Sequence, residues 1–347
     1  MKILHANLAR GFRGGERQTQ ILIEGIAAQG SMNQVLACRP DSPLRKELND
    51  IPGMNFLPVS HMLDSHRHSI GADLIHAHDA KGAHWAFIQY LLNRTPYIIT
   101  RRVPNPLKNS FYTRAVYKKA ARLVAISSAI QNYLQDYVSG VKVDRIPSAW
   151  ADWRENAENV DDLRKAYSGC FVIGHVGALM DRHKGQRYLI EAARYIRTRH
   201  PQMRFLFLGD GPDEEMLRQM GENLDNVEFL GFRRDVNRYL AIMDLFVFPS
   251  NYEGMGSTLL DAMAFDIPVI ATRVGGIPDI VCDGKTGLLI PPQDPTAIVQ
   301  AIEALYQDPD YRRRLAANAR SQLDNYSPSK MARRYMDLYQ EAIAGRA

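Results

Sequence analysis

Strand-length apolar runs alternate with helix-length amphipathic segments along this chain, and the series runs through twice. A parallel pair of strands needs a long crossover, usually a helix, so this alternation specifies helix-covered parallel sheets. In the first series Met1–Ala6 reads as a buried strand. Gly11–Gly15 is a glycine-rich turn, and Glu16–Gln29 a helix stopped by Gly30. Strands follow at Gln34–Cys38, Asp73–His76, Tyr97–Thr100 and Leu123–Ile126, and Ser127 and Ser128 stand where helix N-caps belong. The series restarts with strand Phe171–Val176 and helix Gln186–Arg199. Further strands are expected at Arg204–Leu208, Val227–Phe229, Asp244–Pro249, Val269–Ala271 and Gly287–Ile290, with a helix at Ser257–Ala264. Two such series predict an α/β chain of two Rossmann-like, doubly wound parallel-sheet domains.

At 347 residues the chain is long enough for two cores without disulfides. The acidic stretch Asp152–Tyr167 lacks strand character and is the expected linker. This divides the chain into residues 1–160, 161–327 and a terminal helical tail, 328–347. The three cysteines, Cys38, Cys170 and Cys282, are odd in number and widely spaced, which excludes a disulfide framework and a zinc-ligand pattern and points to a reducing, cytoplasmic setting. The opening MKILHANLARGFRGG has too short an apolar run for a signal peptide, and no apolar run is long enough to span a membrane. Residues 1–160 hold 20 basic and 13 acidic side chains, whereas the remainder holds 23 and 25. The basic first part suggests an anionic partner there.

Pro249–Gly276 carries the most chemistry. A buried strand ends at Pro249, the turn Glu253-Gly254-Met255-Gly256 follows, and a helix starts near Ser257. Free backbone N–H groups and the helix dipole then converge on one place suited to a diphosphate. Glu253 stands at its mouth and Asp261 within the helix. In Gly174–Gln186 a second strand ends in a glycine turn, with the cations Arg182 and Lys184 in the loop beyond it.

These residues resemble the motifs of the family-four retaining glycosyltransferases, the glycosyl transferases group 1, which have the GT-B fold. Glu253 and Asp261 are similar to the family's E-x7-E pair, with Asp in place of the second Glu. The resemblance implies that Glu253 contacts the transferred sugar and Asp261 the ribose. Val269–Val281 and Asp283–Leu289 look like the family's continuation. Lys184-Gly185 is similar to its Lys-Gly pair, which neutralises the leaving diphosphate. The usual preceding Arg is Ala178 here, and Arg182 is the candidate replacement. Gly209-Asp210-Gly211-Pro212 resembles the turn near the base, with Gly231-Phe232-Arg233 beside it. Gly14 and Gly15, in Arg13–Arg17, resemble the loop that faces the donor phosphates. His78, in LIHAHD, matches the histidine beside the donor sugar. With Glu253 it completes the expected catalytic set, and Gly254, Met255, Gly256 and Ser257 complete the donor loop. The family fold also implies two domains facing a cleft and a terminal helix that returns to the first.

Two features lie outside these motifs. His76 and His78 alternate like metal ligands, but no third ligand is evident, and no metal is expected. Arg101–Arg122 holds seven basic residues, no acid, and the rings of Phe111, Tyr112 and Tyr117. Arg101, Arg102, Lys108, Lys118 and Lys119 therefore mark an acceptor or anionic-membrane surface. Nucleic acid is not the expected partner, since no recognition motif accompanies the charge. The expected activity is transfer of a sugar from a nucleotide-diphosphate donor, a UDP-sugar, to a cell-envelope glycan or glycolipid such as lipopolysaccharide core or capsule, without a cofactor. A nucleotide-sugar 2-epimerase and a non-catalytic nucleotide-sugar-binding protein remain as alternatives.

Overall fold

The computed structural model describes residues 1–30, 32–66, 71–151 and 160–345. It contains two compact units, Met1–Ala149 with Tyr326–Ala347, and Trp150–Asn325.

The first unit has a sheet of β1 (Lys2–Ala6), β2 (Asn33–Cys38), β3 (Asn55–Pro58), β4 (Leu74–Ala77), β5 (Tyr97–Arg101), β6 (Arg122–Ala125) and β7 (Val143–Arg145). Its spatial order is β3-β2-β1-β4-β5-β6-β7, with every pair parallel. The second unit has β8 (Phe171–Val176), β9 (Met203–Leu208), β10 (Val227–Gly231), β11 (Leu245–Phe248), β12 (Val269–Thr272) and β13 (Leu288–Ile290). These run β10-β9-β8-β11-β12-β13, again all parallel. In both sheets the winding reverses beside the first strand, between β1 and β4 and between β8 and β11. Loops leaving the C-terminal ends of those strands diverge there and open a crevice, the usual ligand site of a doubly wound sheet.

Helices on both faces explain why the central strands are mostly apolar and buried along their length. LFVF of β11 and LIHA of β4 are buried at every position. The edge strands β3 and β7 were not expected. NFLP is only half-buried and ends in proline, and β7 has three residues, so neither carries a clear apolar signal.

Local chemistry sets the helix ends. Asp79 caps Ala80–Asn93 by accepting from Gly82 N at 2.9 Å and Lys81 N at 3.3 Å. Asp294 caps Pro295–Gln307 through Ala297 N at 2.9 Å, with proline at the first helical position. The helix Pro328–Ala344 belongs to the first unit, where Gly25 of helix Gly14–Ala28 lets it approach closely: a Cβ on Gly25 would lie 3.1 Å from Ala332 Cβ. Tyr335 and Tyr339 on that helix are fully buried. The expected linker lies partly outside the described residues, at 152–159. Its second half is the helix Asp161–Ala166, held to the second unit by Arg238–Asp162 at 2.5 Å and by Tyr167 Oη to Glu228 at 2.7 Å.

Candidate functional site

In the second unit, the crevice between β8 and β11 brings Lys184 and Glu253 together. Lys184 Nζ lies 2.5 Å from Glu253 Oε2, and also 5.0 Å from the centre of the Phe248 ring. Both side chains are largely shielded, at 23% and 15% exposed, so the charges meet in a weakly screened setting. The loops bearing them are fastened to each other. Asn251 N and Tyr252 N donate to His183 O at 2.8 and 3.0 Å, and Thr272 Oγ1 donates to Ser250 O at 2.5 Å. Two glycines make this approach feasible. Gly185 has φ +63°, and a Cβ there would fall 2.3 Å from Pro249 O; Gly275 has φ +52°, and its Cβ would fall 1.8 Å from Glu253 O.

Beyond Glu253, Gly254, Met255 and Gly256 are buried and lead into helix Ser257–Ala264, with Gly256 as N-cap. Glu253 Oε1 accepts from Gly254 N at 3.1 Å, which fixes the carboxylate against its own turn. Asp261 is 8% exposed, and its Oδ1 accepts from Ala151 N at 2.7 Å. One lone-pair site of this carboxylate is thus occupied by backbone. Arg182 is exposed on helix Asp181–Lys184, while its carbonyl accepts from Asn251 Nδ2 at 3.3 Å. The Gly209–Pro212 turn crosses the strand end carrying Ala178: Leu179 N donates to Asp210 O at 2.8 Å, and Asp213 N to Leu179 O at 3.1 Å. An open groove lined by Gly211, Pro212, Glu214 and Arg218 runs beside that turn. Gln186, missed in the sequence, steadies the Ala178 turn by donating to Ala178 O at 2.8 Å, and its amide lies 3.4 Å from His175 Nε2.

In the first unit, the ends of β1, β4 and β5 gather a buried polar cluster. His5, on β1, stands in register with His76 on β4, and His78 follows one residue beyond that strand. The three imidazoles place nitrogens within 4.8 Å of one another. His5 is thus the third residue that sequence reasoning failed to find; the order β1-β4 would have revealed it. Both nitrogens of His5 are engaged, Nδ1 with His78 Nε2 and Nε2 with Gln34 Oε1, each at 3.0 Å. Both nitrogens of His76 are engaged as well, with Tyr339 Oη and Thr100 Oγ1 at 2.7 Å. Thr100 Oγ1 in turn lies 3.0 Å from Tyr335 Oη. Burial pushes His5 down to about 4 against the favourable bond to Gln34, and pushes His76 and His78 well below the ordinary imidazole range. Gly14 starts helix Gly14–Ala28 and is exposed with open space around it, while a Cβ on Gly15 would lie 3.8 Å from Arg102 Cδ.

The basic segment divides in two, which corrects one expectation. Arg101 is buried against Tyr117 and the Asn105 carbonyl, and the guanidinium nitrogens of Arg102 are shielded from solvent. Arg101, the last residue of β5, and Arg102, just beyond it, both have their guanidinium nitrogens turned from solvent, so neither lies on a membrane-facing surface. Lys108, Lys118 and Lys119 are exposed, as is Phe111 at 90%.

Two all-parallel sheets in this winding define a GT-B fold. A solved Anabaena protein, HepE in complex with UDP-glucose, superposes with a TM-score of 0.86, covering 98% of this chain and 100% of that one at 20% identity. Residues 12–149 match glycosyltransferase family 4, and residues 170–308 match the glycosyl transferases group 1. The α-D-kanosaminyltransferase of Streptomyces kanamyceticus is 30% identical over 283 residues, 73% of this chain and 72% of that enzyme. The chain belongs to this family of glycosyltransferases. The Staphylococcus aureus capsular polysaccharide biosynthesis glycosyltransferase CapM is 29% identical over 182 residues, 51% of this chain and 47% of CapM. The match spans 43% and 38% of the length of two further curated relatives.

Proposed function

We propose that the protein transfers a sugar, with retention of anomeric configuration, from a nucleotide-diphosphate donor held by its second unit to a cell-envelope glycan or glycolipid. The observation that carries this reading is the Lys184–Glu253 pair, 2.5 Å apart at the β8/β11 crevice and beside the N-terminus of helix Ser257–Ala264. A bound diphosphate competes for Lys184 and draws on the helix dipole, releasing the Glu253 carboxylate to accept hydrogen bonds from sugar hydroxyls. As the bond from the anomeric carbon to the β-phosphate oxygen breaks, charge grows on the leaving diphosphate, and a preformed cation there lowers the barrier. The acceptor oxygen bonds to the anomeric carbon on the same face, and its proton passes to the departing phosphate. The solved HepE complex with UDP-glucose supports a UDP-sugar donor, and the likeness to CapM supports an envelope polysaccharide acceptor.

A thermal-shift panel of nucleotide sugars identifies the donor, and NMR of the product reads its anomeric configuration. Inverted product refutes retention. Donor consumption that never needs an acceptor favours an epimerase instead.

A further inference from the structure

Arg102 is a costly group in the first unit. All three guanidinium nitrogens are shielded from solvent, and among the described residues none of them has a hydrogen-bond partner. An uncompensated buried charge costs several kcal/mol unless an opposite charge and acceptors meet it. The nearest carboxylate influence is Glu16, whose Oε2 already accepts from Arg13 N at 3.0 Å. Asp79 is turned to backbone, accepting from Leu8 N, Gly82 N and Lys81 N. The remaining neighbours, Tyr335, Tyr339, His76 and His78, are neutral.

A second orphan, within electrostatic reach of Arg102, is His78 Nδ1, buried and without a partner among the described residues. Its chemistry follows from a chain of fixed donors. Gln34 Nε2 donates to Ile23 O at 3.0 Å, so its Oε1 is the acceptor facing His5 Nε2. A neutral His5 that donates from Nε2 has a bare Nδ1. That Nδ1 accepts from His78 Nε2, so a neutral His78 keeps a lone pair on Nδ1. A ligand at this point must therefore offer an O–H or N–H to His78 and an acceptor charge to Arg102.

We propose that Arg102 and His78 form an oxyanion site in the first unit, taking a small ligand that carries a phosphate or carboxylate beside a hydroxyl group. On the transferase reading above, on which this last assignment rests, the ligand is the acidic end of the acceptor. Gln34 and His5 are positioning residues that hold His78 as an acceptor.

The test is calorimetry and thermal melting of the full chain with inorganic phosphate, glycolate, acetate and UDP. Phosphate or glycolate is expected to bind the wild type. Arg102→Gln is expected to weaken that binding at least tenfold. Glycolate is expected to exceed acetate by about fivefold, the worth of one hydrogen bond, and His78→Phe to erase that preference. In anion-free buffer Arg102→Gln is expected to melt no lower than wild type, because it removes an unmatched charge. Arg102→Lys keeps the charge and serves if the glutamine variant fails to fold; it is expected to retain binding within about tenfold, as a point charge without the fork. Binding that is absent in the wild type, or equal in Arg102→Gln, overturns the site. So does a melting temperature several degrees lower for Arg102→Gln, which marks a structural role. If Arg102→Gln weakens UDP as much as phosphate, the oxyanion is the donor's, and the acceptor assignment falls. Arg102-dependent phosphate binding without any sugar transfer leaves the site standing and removes the transferase reading.

Discussion

Glu253 and Lys184 neutralise each other at 2.5 Å, and that pair is the proposed resting form of the donor site. Glu253→Gln is expected to lower kcat by about a hundredfold or more, the scale of losing one transition-state contact. Lys184→Ala is expected to raise the donor KM and lower kcat together, because the cation meets the diphosphate before and during departure. Steady-state kinetics separate the two; normal turnover in either variant removes that residue from the chemistry. Gly275→Ala drives a Cβ into Glu253 O at 1.8 Å from a left-handed backbone. It is expected to cost about 2 kcal/mol or more of stability, with loss of activity, as read by denaturant melts; a neutral effect means the turn yields freely. Glu253 and the glycines that follow it stood out in the sequence because strand end, turn and helix start are contiguous; Lys184 stood out only through the Lys-Gly resemblance, and its contact with Glu253, 69 residues away, did not. His5 was not legible, since its partner His78 is 73 residues away and only the sheet order brings them together. Arg102 was legible as a cation but not as a buried one, because the pattern RRVPNPLKN does not reveal which way the chain turns after β5 ends at Arg101.

At the level of elements, strands buried on both faces announced themselves as apolar runs, whereas the short edges β3 and β7 did not. The element with the clearest unassigned surface is helix Phe111–Lys118. Its Phe111 is 90% exposed, with Lys108 preceding it and Lys118 and Lys119 at its end. An exposed ring flanked by cations suits an anionic bilayer interface. Phe111→Ser combined with Lys118→Glu is expected to weaken sedimentation with phosphatidylglycerol vesicles about tenfold or more, roughly 1 kcal/mol per basic residue plus the ring. Arg101→Gln is expected to have no effect on vesicle binding, because that side chain faces inward. Vesicle binding that ignores the helix variant, or that is absent in wild type, ends the membrane assignment.

Across the whole molecule, both units bury imidazoles that must stay neutral. Burial holds His5 in the first unit and His175 in the second at about 4, below the ordinary value of 6.5. Protons therefore prefer the unfolded chain between those limits. The stability these groups contribute is complete above about pH 6.5 and declines as the pH falls toward 4, by up to roughly 3 kcal/mol for each such group. Thermal melts between pH 7.5 and 4.5 are expected to fall along that window, with His175→Gln flattening the transition of the second unit; a pH-independent melt contradicts the buried, neutral assignment. The central claim is that the second unit holds a nucleoside diphosphate at the start of helix Ser257–Ala264. A crystal structure of the protein soaked with UDP tests it most directly. The phosphates are expected within hydrogen-bond reach of the Gly256–Thr258 backbone, with Lys184 drawn from Glu253 onto them. Phosphates bound elsewhere, with the Lys184–Glu253 pair still closed, would contradict it.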